Sequence, residues 1–124
     1  MTTINTSINI AGITFKNPIM PASGTFGSGQ EYSEFVDLNQ LGAVVTKGVS
    51  LTPWEGNPAP RIMETSSGMI NDVLEFIMAG ATGIAIGTAN FNNPFVMPEI
   101  ISKLTEYMKE NNIEILDEIR GIVG

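Results

Sequence analysis

The chain contains neither cysteine nor histidine among its 124 residues. Without cysteine it has no disulfide framework, no thiolate metal site and no cysteine nucleophile or base. Without histidine it lacks a histidine-based catalytic triad and the commonest protein ligand for metals. These two absences exclude several large classes of enzyme, and we expect no metal site.

Positive charge and long apolar runs are also scarce. Six Lys and Arg oppose thirteen Asp and Glu, so the formal net charge is −7, which argues against a nucleic-acid partner. No run of about 18 apolar residues is available to span a bilayer, and residues 1–12 lack the basic start and apolar stretch of a signal peptide. We therefore expect one cytoplasmic domain without a membrane partner, because the length is too small for two domains.

Strand-like and helix-like patterns alternate along the chain and predict an α/β fold with a parallel sheet. Before them, residues 8–15 show the alternation and central glycine of a small hairpin. The predicted strands are residues 17–21, 43–46 and 83–86. The predicted helices are residues 30–41, a segment from about Asp72 to Gly80, a helix with Pro98 at its start and Ile101, Leu104 and Met108 on its apolar face, and a last helix with Leu116, Ile119 and Val123.

The alternation breaks once, near Asn71 and Asp72. A long loop rich in proline and glycine is predicted between residues 51 and 67. The helix that begins near Asp72 then has no strand of its own before it. Part of the expected pattern is therefore missing at this point.

Two glycine turns follow predicted strands. The segment Gly24-Thr25-Phe26-Gly27-Ser28-Gly29 either binds a phosphate through its N–H groups or serves as a structural turn, and it matches neither the dinucleotide fingerprint nor the P-loop. Gly87-Thr88 offers two N–H groups and a hydroxyl where a barrel binds phosphate, after its last strands. The alternative is that Gly87 serves turn geometry alone.

Lys47 follows the apolar strand 43–46, and its ammonium needs water or a partner there, because a buried unpaired charge is costly. At the carboxyl end of a parallel strand that partner is often a ligand. Ser66, Ser67 and Asn71 suit hydrogen bonds to a polar ring or carboxylate, and otherwise are ordinary loop residues. The acidic residues Glu110, Glu114, Asp117 and Glu118 are interpreted as a solvated face.

Four segments together resemble the class 1B dihydroorotate dehydrogenases, the NAD-linked bacterial type, in order and over nearly the whole chain. They are NPIMPASGTFGSGQEY, AVVTKGVS, TPWEGNPAPRIMETSSGMIN and DVLEFIMAGATGIAIGTANFNNP. The resemblance implies a TIM (β/α)8 barrel, which needs about 250 residues. The chain is then an incomplete TIM barrel: an arc of parallel strands one, two and eight with an N-terminal hairpin. Residues 1–71 and 72–124 would form one partial domain, joined across a deletion at Asn71/Asp72.

The resemblance also implies the reaction. Dihydroorotate is oxidised to orotate in de novo pyrimidine (UMP) biosynthesis, FMN accepts the hydride, and electrons pass to NAD through an iron–sulfur FAD subunit within a heterotetramer. The implied FMN contacts are Ala22, Ser23, Gly24, Lys47, Gly48, Gly87 and Thr88, the last two at the phosphate, and the implied substrate contacts are Lys47 and Asn71.

The catalytic base of this class is a cysteine, which this chain lacks. We therefore assign no catalytic residue and expect the isolated chain to be inactive. One alternative is a non-catalytic remnant that binds FMN or docks the partner subunit. Another is a dimer formed through the open edges of the arc, because unpaired strands invite pairing.

Overall fold

The computed structural model describes residues 3–27, 29–46 and 70–123. Within these ranges the strands are β1 (Ile8–Ile10), β2 (Ile13–Phe15), β3 (Ile19–Pro21) and β4 (Ile84–Ile86). The α-helices are α1 (Ile70–Met78), α2 (Ala89–Asn92) and α3 (Val96–Glu110), and two 3₁₀ turns span Leu38–Gln40 and Leu116–Glu118. The result is a small α/β unit, as the alternating patterns predict. Among the residues described, no helix combines the length and apolar character needed to cross a bilayer.

The N-terminal hairpin is confirmed. Strands β1 and β2 pair antiparallel, with Ile8 opposite Phe15 and Ile10 opposite Ile13. The two turn residues, Ala11 and Gly12, have φ angles of 52° and 84°, as a tight two-residue hairpin turn requires. The Asn9 side chain accepts a hydrogen bond of 3.1 Å from the Gly12 N–H, which closes the turn.

The central sheet joins two distant parts of the chain. Strands β3 and β4 are parallel neighbours, with Ile19 beside Ile84 and Pro21 beside Ile86. The predicted strand at residues 17–21 and the one at 83–86 are therefore both present, each shortened to three residues. The described ranges contain this two-stranded parallel sheet and the hairpin, and no closed barrel.

Residues 43–46, predicted as a strand, are irregular backbone in the described structure. A β-strand requires backbone hydrogen bonds to a neighbouring strand. Here the Ile19 carbonyl of β3 accepts a 2.8 Å bond from the Gly42 N–H, one residue before the predicted strand begins. Residues 43–46 are mostly apolar, but they form no regular strand pairing in the described structure. The three-strand arc is thus seen only as the β3–β4 pair.

Helix α1 ends where the glycine predicts. Gly80 adopts a φ of 111°, and the Ala81 N–H donates to the Phe76 carbonyl at 2.9 Å, the capping pattern of a helix that stops at a left-handed glycine. In α3, Pro98 lies in the first turn, where its missing N–H is harmless. The buried face of α3 is Met97, Ile100, Leu104 and Met108, whereas Ile101 is half-buried.

Two predicted helices are wrong. Residues 30–41 form turns and the first 3₁₀ turn. The backbone of Asp37 is extended, and its side chain accepts a 3.0 Å bond from the Asn39 N–H, so Asp37 interrupts the helix and caps the 3₁₀ turn. The last helix is only the second 3₁₀ turn. After it, the N–H groups of Gly121 and Val123 donate to the carbonyls of Ile77 and Met78, so the tail is bonded to the end of α1.

The core lies between the β3–β4 pair, α1 and α3. Its side chains with no exposed surface include Ile19, Phe26, Ile77, Met97, Leu104, Met108 and Leu116. Residues from both sides of position 71 therefore share one core. This core is what holds the ends of β3 and β4 side by side.

Candidate active site

The candidate site lies at the carboxyl ends of β3 and β4. Because the strands are parallel, both chains leave the sheet at the same edge, where ligand sites of barrels and open sheets form. The Ala22 N–H, just after β3, donates to the Ile86 carbonyl at 2.7 Å. A Cβ built on Gly87, just after β4, lies 3.6 Å from the Ala22 Cβ. The two exit turns are therefore in van der Waals contact.

The turn after β3 is closed on itself by Thr25. The Thr25 hydroxyl donates to the Ala22 carbonyl at 2.8 Å, and the Thr25 N–H donates to the same oxygen at 3.3 Å. Gly24 has a φ of 86°, and no atom of the described residues lies within 4 Å of its Cβ position. Ser23 and Gly24 are exposed, so a hydroxyl and a side-chain-free backbone are open to a ligand.

The second half of the glycine segment has a different environment. A Cβ built on Gly27 would lie 2.7 Å from a carboxylate oxygen of Glu31. The Glu31 side chain therefore occupies the space in front of this backbone. Of the two interpretations of the glycine segment, the structure favours a structural turn at Gly27, whereas Ser23 and Gly24 are exposed.

The turn after β4 presents donors. The carbonyls of Gly87 and Thr88 accept bonds of 3.0 Å from the N–H groups of Asn90 and Phe91. In contrast, the N–H groups of Gly87 and Thr88 and the Thr88 hydroxyl donate to no acceptor within the described ranges. Two N–H groups and a hydroxyl of adjacent residues form a set of donors that suits a phosphate.

A buried polar contact lies directly behind this turn. Asn90 is 1% exposed, and its Nδ2 donates to the Ile86 carbonyl at 2.8 Å. The backbone carbonyl of Asn90 accepts a 3.3 Å bond from the Tyr32 hydroxyl. The Tyr32 ring stacks on the Phe26 ring with centroids 4.3 Å apart. Our sequence prediction missed this contact. Its signal was Asn90 in the exit turn after β4, a polar residue beside a buried strand.

Deprotonation of Tyr32 is predicted to lower the stability of the fold at alkaline pH. Burial raises the pKa of the Tyr32 hydroxyl from its usual 10.0, and the charge of Glu31 raises it further. The folded protein therefore holds this proton more tightly than the unfolded chain does. The protonated Tyr32 hydroxyl contributes its full stabilisation of the fold below about pH 10, and this contribution is lost as the pH rises through the folded pKa.

We expect the free energy of unfolding to fall above about pH 10 more steeply in the wild type than in a Tyr32→Phe variant. Urea unfolding, followed by circular dichroism between neutral and strongly alkaline pH, measures both slopes. Equal slopes in the two proteins would contradict the role of Tyr32.

The structure brings together five of the predicted site residues: Ala22, Ser23, Gly24, Gly87 and Thr88 lie in the two contacting turns. Asn71 is in the first turn of α1. Lys47 and Gly48, together with Ser66 and Ser67, lie outside the described residues. The predicted contacts of the lysine therefore stay predictions.

The model of the family named dihydroorotate dehydrogenase matches residues 5–73 and 71–108. The chain belongs to the dihydroorotate dehydrogenase family. Members of this family fold as TIM barrels, of which the described ranges hold only a part. The two matched segments meet at residues 71–73, which is where the alternation of strands and helices breaks.

Individual relatives give the same family. The chain is 49% identical over 121 residues to the dihydroorotate dehydrogenase B (NAD(+)) catalytic subunit of Alkaliphilus metalliredigens, covering 98% of this chain and 34% of the relative. The subunit of the same name from Alkaliphilus oremlandii is 70% identical over 73 residues, which are 59% of this chain and 24% of the relative. That of Thermodesulfovibrio yellowstonii is 41% identical over 124 residues, with 93% and 38% covered. The chain thus spans about a third of the length of the two relatives that align with more than nine-tenths of it.

Proposed function

We propose that the chain carries one side of a dihydroorotate dehydrogenase site, which oxidises dihydroorotate to orotate in pyrimidine biosynthesis with FMN as hydride acceptor. The observation that carries this proposal is the contact between the Ala22–Gly24 turn and the Gly87–Thr88 turn at one edge of a parallel sheet. Membership of the family supports the reaction, and the contact between the two turns supports the cofactor site.

The residues present fit FMN. The N–H groups of Gly87 and Thr88, which donate to no acceptor in the described part of the chain, would hold the phosphate together with the Thr88 hydroxyl. Exposed Ser23 and the backbone of Gly24 would bind the adjoining part of the cofactor. When bound, FMN supplies the acceptor for the hydride of the substrate ring.

Lys47 and Asn71 complete this side of the proposed site. The ammonium of Lys47 would bind both flavin and substrate and offset negative charge there, which matters in a chain with a net charge of −7. The Asn71 amide would bind the substrate as the first residue of its loop. Both roles require a hydrogen-bond donor, which a hydrophobic side chain lacks.

The cysteine that the resemblance implies as the proton acceptor of the reaction is absent from this chain. The chain has neither cysteine nor histidine, and a positioned general base contributes roughly 10²- to 10⁴-fold to a rate. We infer an internal deletion at Asn71/Asp72, supported by two family matches that meet at residues 71–73 and by the 34% of a relative that the chain spans. The proposed partial barrel therefore binds the cofactor without completing the reaction.

We expect saturable FMN binding by the wild type and binding about 10- to 100-fold weaker in a Lys47→Ala variant, the equivalent of one lost hydrogen bond to a charged group. Flavin fluorescence, followed as protein is added to FMN, measures both affinities. Lys103→Ala removes the same charge from an exposed position on α3 and should bind FMN as the wild type does. A wild type without saturable binding would overturn the proposed cofactor site.

A turnover assay tests the proposed lack of chemistry. The relatives are named catalytic subunits, and we expect the corresponding partner to be an iron–sulfur FAD subunit that passes electrons to NAD. With that subunit present, dihydroorotate-dependent reduction of NAD should stay at the background rate. Turnover above background would show that another group of this chain replaces the missing base.

A second candidate is a module that binds FMN or docks the electron-transfer subunit without taking part in the reaction. The absence of any cysteine or histidine favours it. Both candidates predict no turnover, and only the first predicts that the chain also binds dihydroorotate, through Lys47 and Asn71. Co-elution of the chain with the partner subunit, without binding of FMN or dihydroorotate, would favour docking alone.

A further inference from the structure

We infer that Asn90 is a positioning residue whose side chain fixes the Gly87–Thr88 turn against the turn that follows β3. The inference rests on the proposed function where it concerns FMN binding and on geometry alone where it concerns the turn. Asn90 itself is buried and is separated from the proposed ligand by the turn that it holds.

Two hydrogen bonds of Asn90 and one of Ala22 support this role. The Asn90 Nδ2 donates to the Ile86 carbonyl at 2.8 Å, and the backbone N–H of Asn90 donates to the Gly87 carbonyl at 3.0 Å. The Ile86 carbonyl also accepts the 2.7 Å bond from the Ala22 N–H. One carbonyl oxygen therefore joins the end of β3, the end of β4 and the Asn90 side chain.

The chemistry of the amide explains why this residue is an asparagine. The Asn90 Nδ2 carries hydrogens that the Ile86 carbonyl accepts, whereas an ionised aspartate of the same shape would set oxygen against oxygen. The Asn90 Oδ1 has no hydrogen-bond partner in the described ranges although it is buried, which costs free energy. The amide is thus stabilised through Nδ2 alone, and its effect is exerted on the Ile86 carbonyl.

Tyr32 supports the same arrangement from the other turn. Its hydroxyl donates to the Asn90 carbonyl at 3.3 Å, and its ring stacks on Phe26, which has no exposed surface. Phe26 lies in the glycine segment that follows β3. The contact from Phe26 through Tyr32 to Asn90 therefore sets the spacing between the two turns from behind.

The test is amide hydrogen exchange in the free protein, measured by NMR. In an Asn90→Ala variant, exchange at Ala22 and Phe91 should accelerate about tenfold, the equivalent of one hydrogen bond, while Leu104 in the middle of α3 changes less than about twofold. Asn92→Ala, an exposed asparagine in the same helix, should leave all three amides unchanged. Equal acceleration at Ala22, Phe91 and Leu104 would overturn the inference, because it would indicate only a loss of global stability.

A second variant keeps the test decisive if Asn90→Ala does not fold. Tyr32→Phe removes only the hydroxyl and should accelerate exchange at Phe91 about threefold, with Leu104 unchanged. In the FMN titration, Asn90→Ala should bind about tenfold more weakly than Asn92→Ala. Unchanged FMN affinity alongside faster exchange at Phe91 would overturn the positioning role. Failure of the wild type to bind FMN would overturn the proposed function instead, and the exchange pattern would still decide the role of Asn90.

Discussion

A Gly42→Ala variant is expected to lose about 3 kcal/mol of folding free energy, at the upper end of what overpacking costs. A Cβ on Gly42 would lie 3.1 Å from the carbonyl carbon of Asn17 and closer still to its oxygen. The obstacle is backbone, and it is fixed. Asn17 is 3% exposed, its Nδ2 donates to the Gln40 carbonyl at 2.8 Å, and its Oδ1 accepts a 3.0 Å bond from the Ile19 N–H.

Urea unfolding measures this loss, and Gly24→Ala is the matched control. Gly24 has a φ of 86°, but no atom in the described part of the chain lies within 4 Å of its Cβ position, so its replacement adds the strain of a left-handed alanine, about 1–2 kcal/mol. Gly42→Ala should therefore be clearly less stable than Gly24→Ala. The reverse order would mean that residues 17 and 42 do not approach each other as closely as the structure indicates.

Local signals in the sequence were sufficient where an element is decided by its own residues. The hairpin follows from the alternation of residues 8–15 around Gly12, which adopts a φ of 84°. Helix α1 ends at Met78 because Gly80, two residues later, adopts a left-handed conformation, and α3 follows from its 3.6-residue apolar period. These elements need no information from distant parts of the chain.

The failed predictions are cases in which another contact competes with the local pattern. Apolar residues at helical spacing indicated a helix at 30–41, but the Asp37 side chain bonds the Asn39 N–H and interrupts it. Leu116 and Ile119 are buried as predicted, whereas Val123 is 66% exposed and its N–H is bonded to the Met78 carbonyl, outside any helix. The latter bond joins residues 45 positions apart, which no local window includes.

The candidate site was predictable in part. The position of Gly24, Gly87 and Thr88 at strand ends indicated turns with free donors. That these turns touch depends on β3 pairing with β4, and this pairing followed from the resemblance to a barrel, not from periodicity. The contact between Tyr32 and Asn90 joins residues 58 positions apart, so the sequence pattern alone gave no access to it.

Exposed aromatic residues agree with a chain that spans a third of its relatives. Phe76 of α1 is 60% exposed, and Phe91 and Phe95 are 48% and 47% exposed. Large apolar side chains on a surface favour association. We still predict dimerisation through the edges of the partial sheet. A monomer in size-exclusion chromatography at high concentration would contradict this prediction.

The second large effect is expected in the core. Leu104 lies in the middle of α3, has no exposed surface and belongs to the same cluster as Ile19 and Ile77. A Leu104→Ala variant removes buried methyl groups and leaves a cavity, which together cost about 3–5 kcal/mol. Helix propensity does not compensate for this loss, because leucine and alanine are both strong helix formers.

Ser102→Ala is the control for Leu104→Ala, because Ser102 is an exposed residue of the same helix. It should change the free energy of unfolding by less than about 0.5 kcal/mol. The comparison also tests whether the two parts of the chain fold together. Helix α3 packs against β3, which precedes residue 71, and against α1, which begins at Ile70. If the parts share one core, Leu104→Ala will speed amide exchange in β3 as well as in α3. Faster exchange confined to α3 would mean that residues 72–124 unfold separately from residues 1–71.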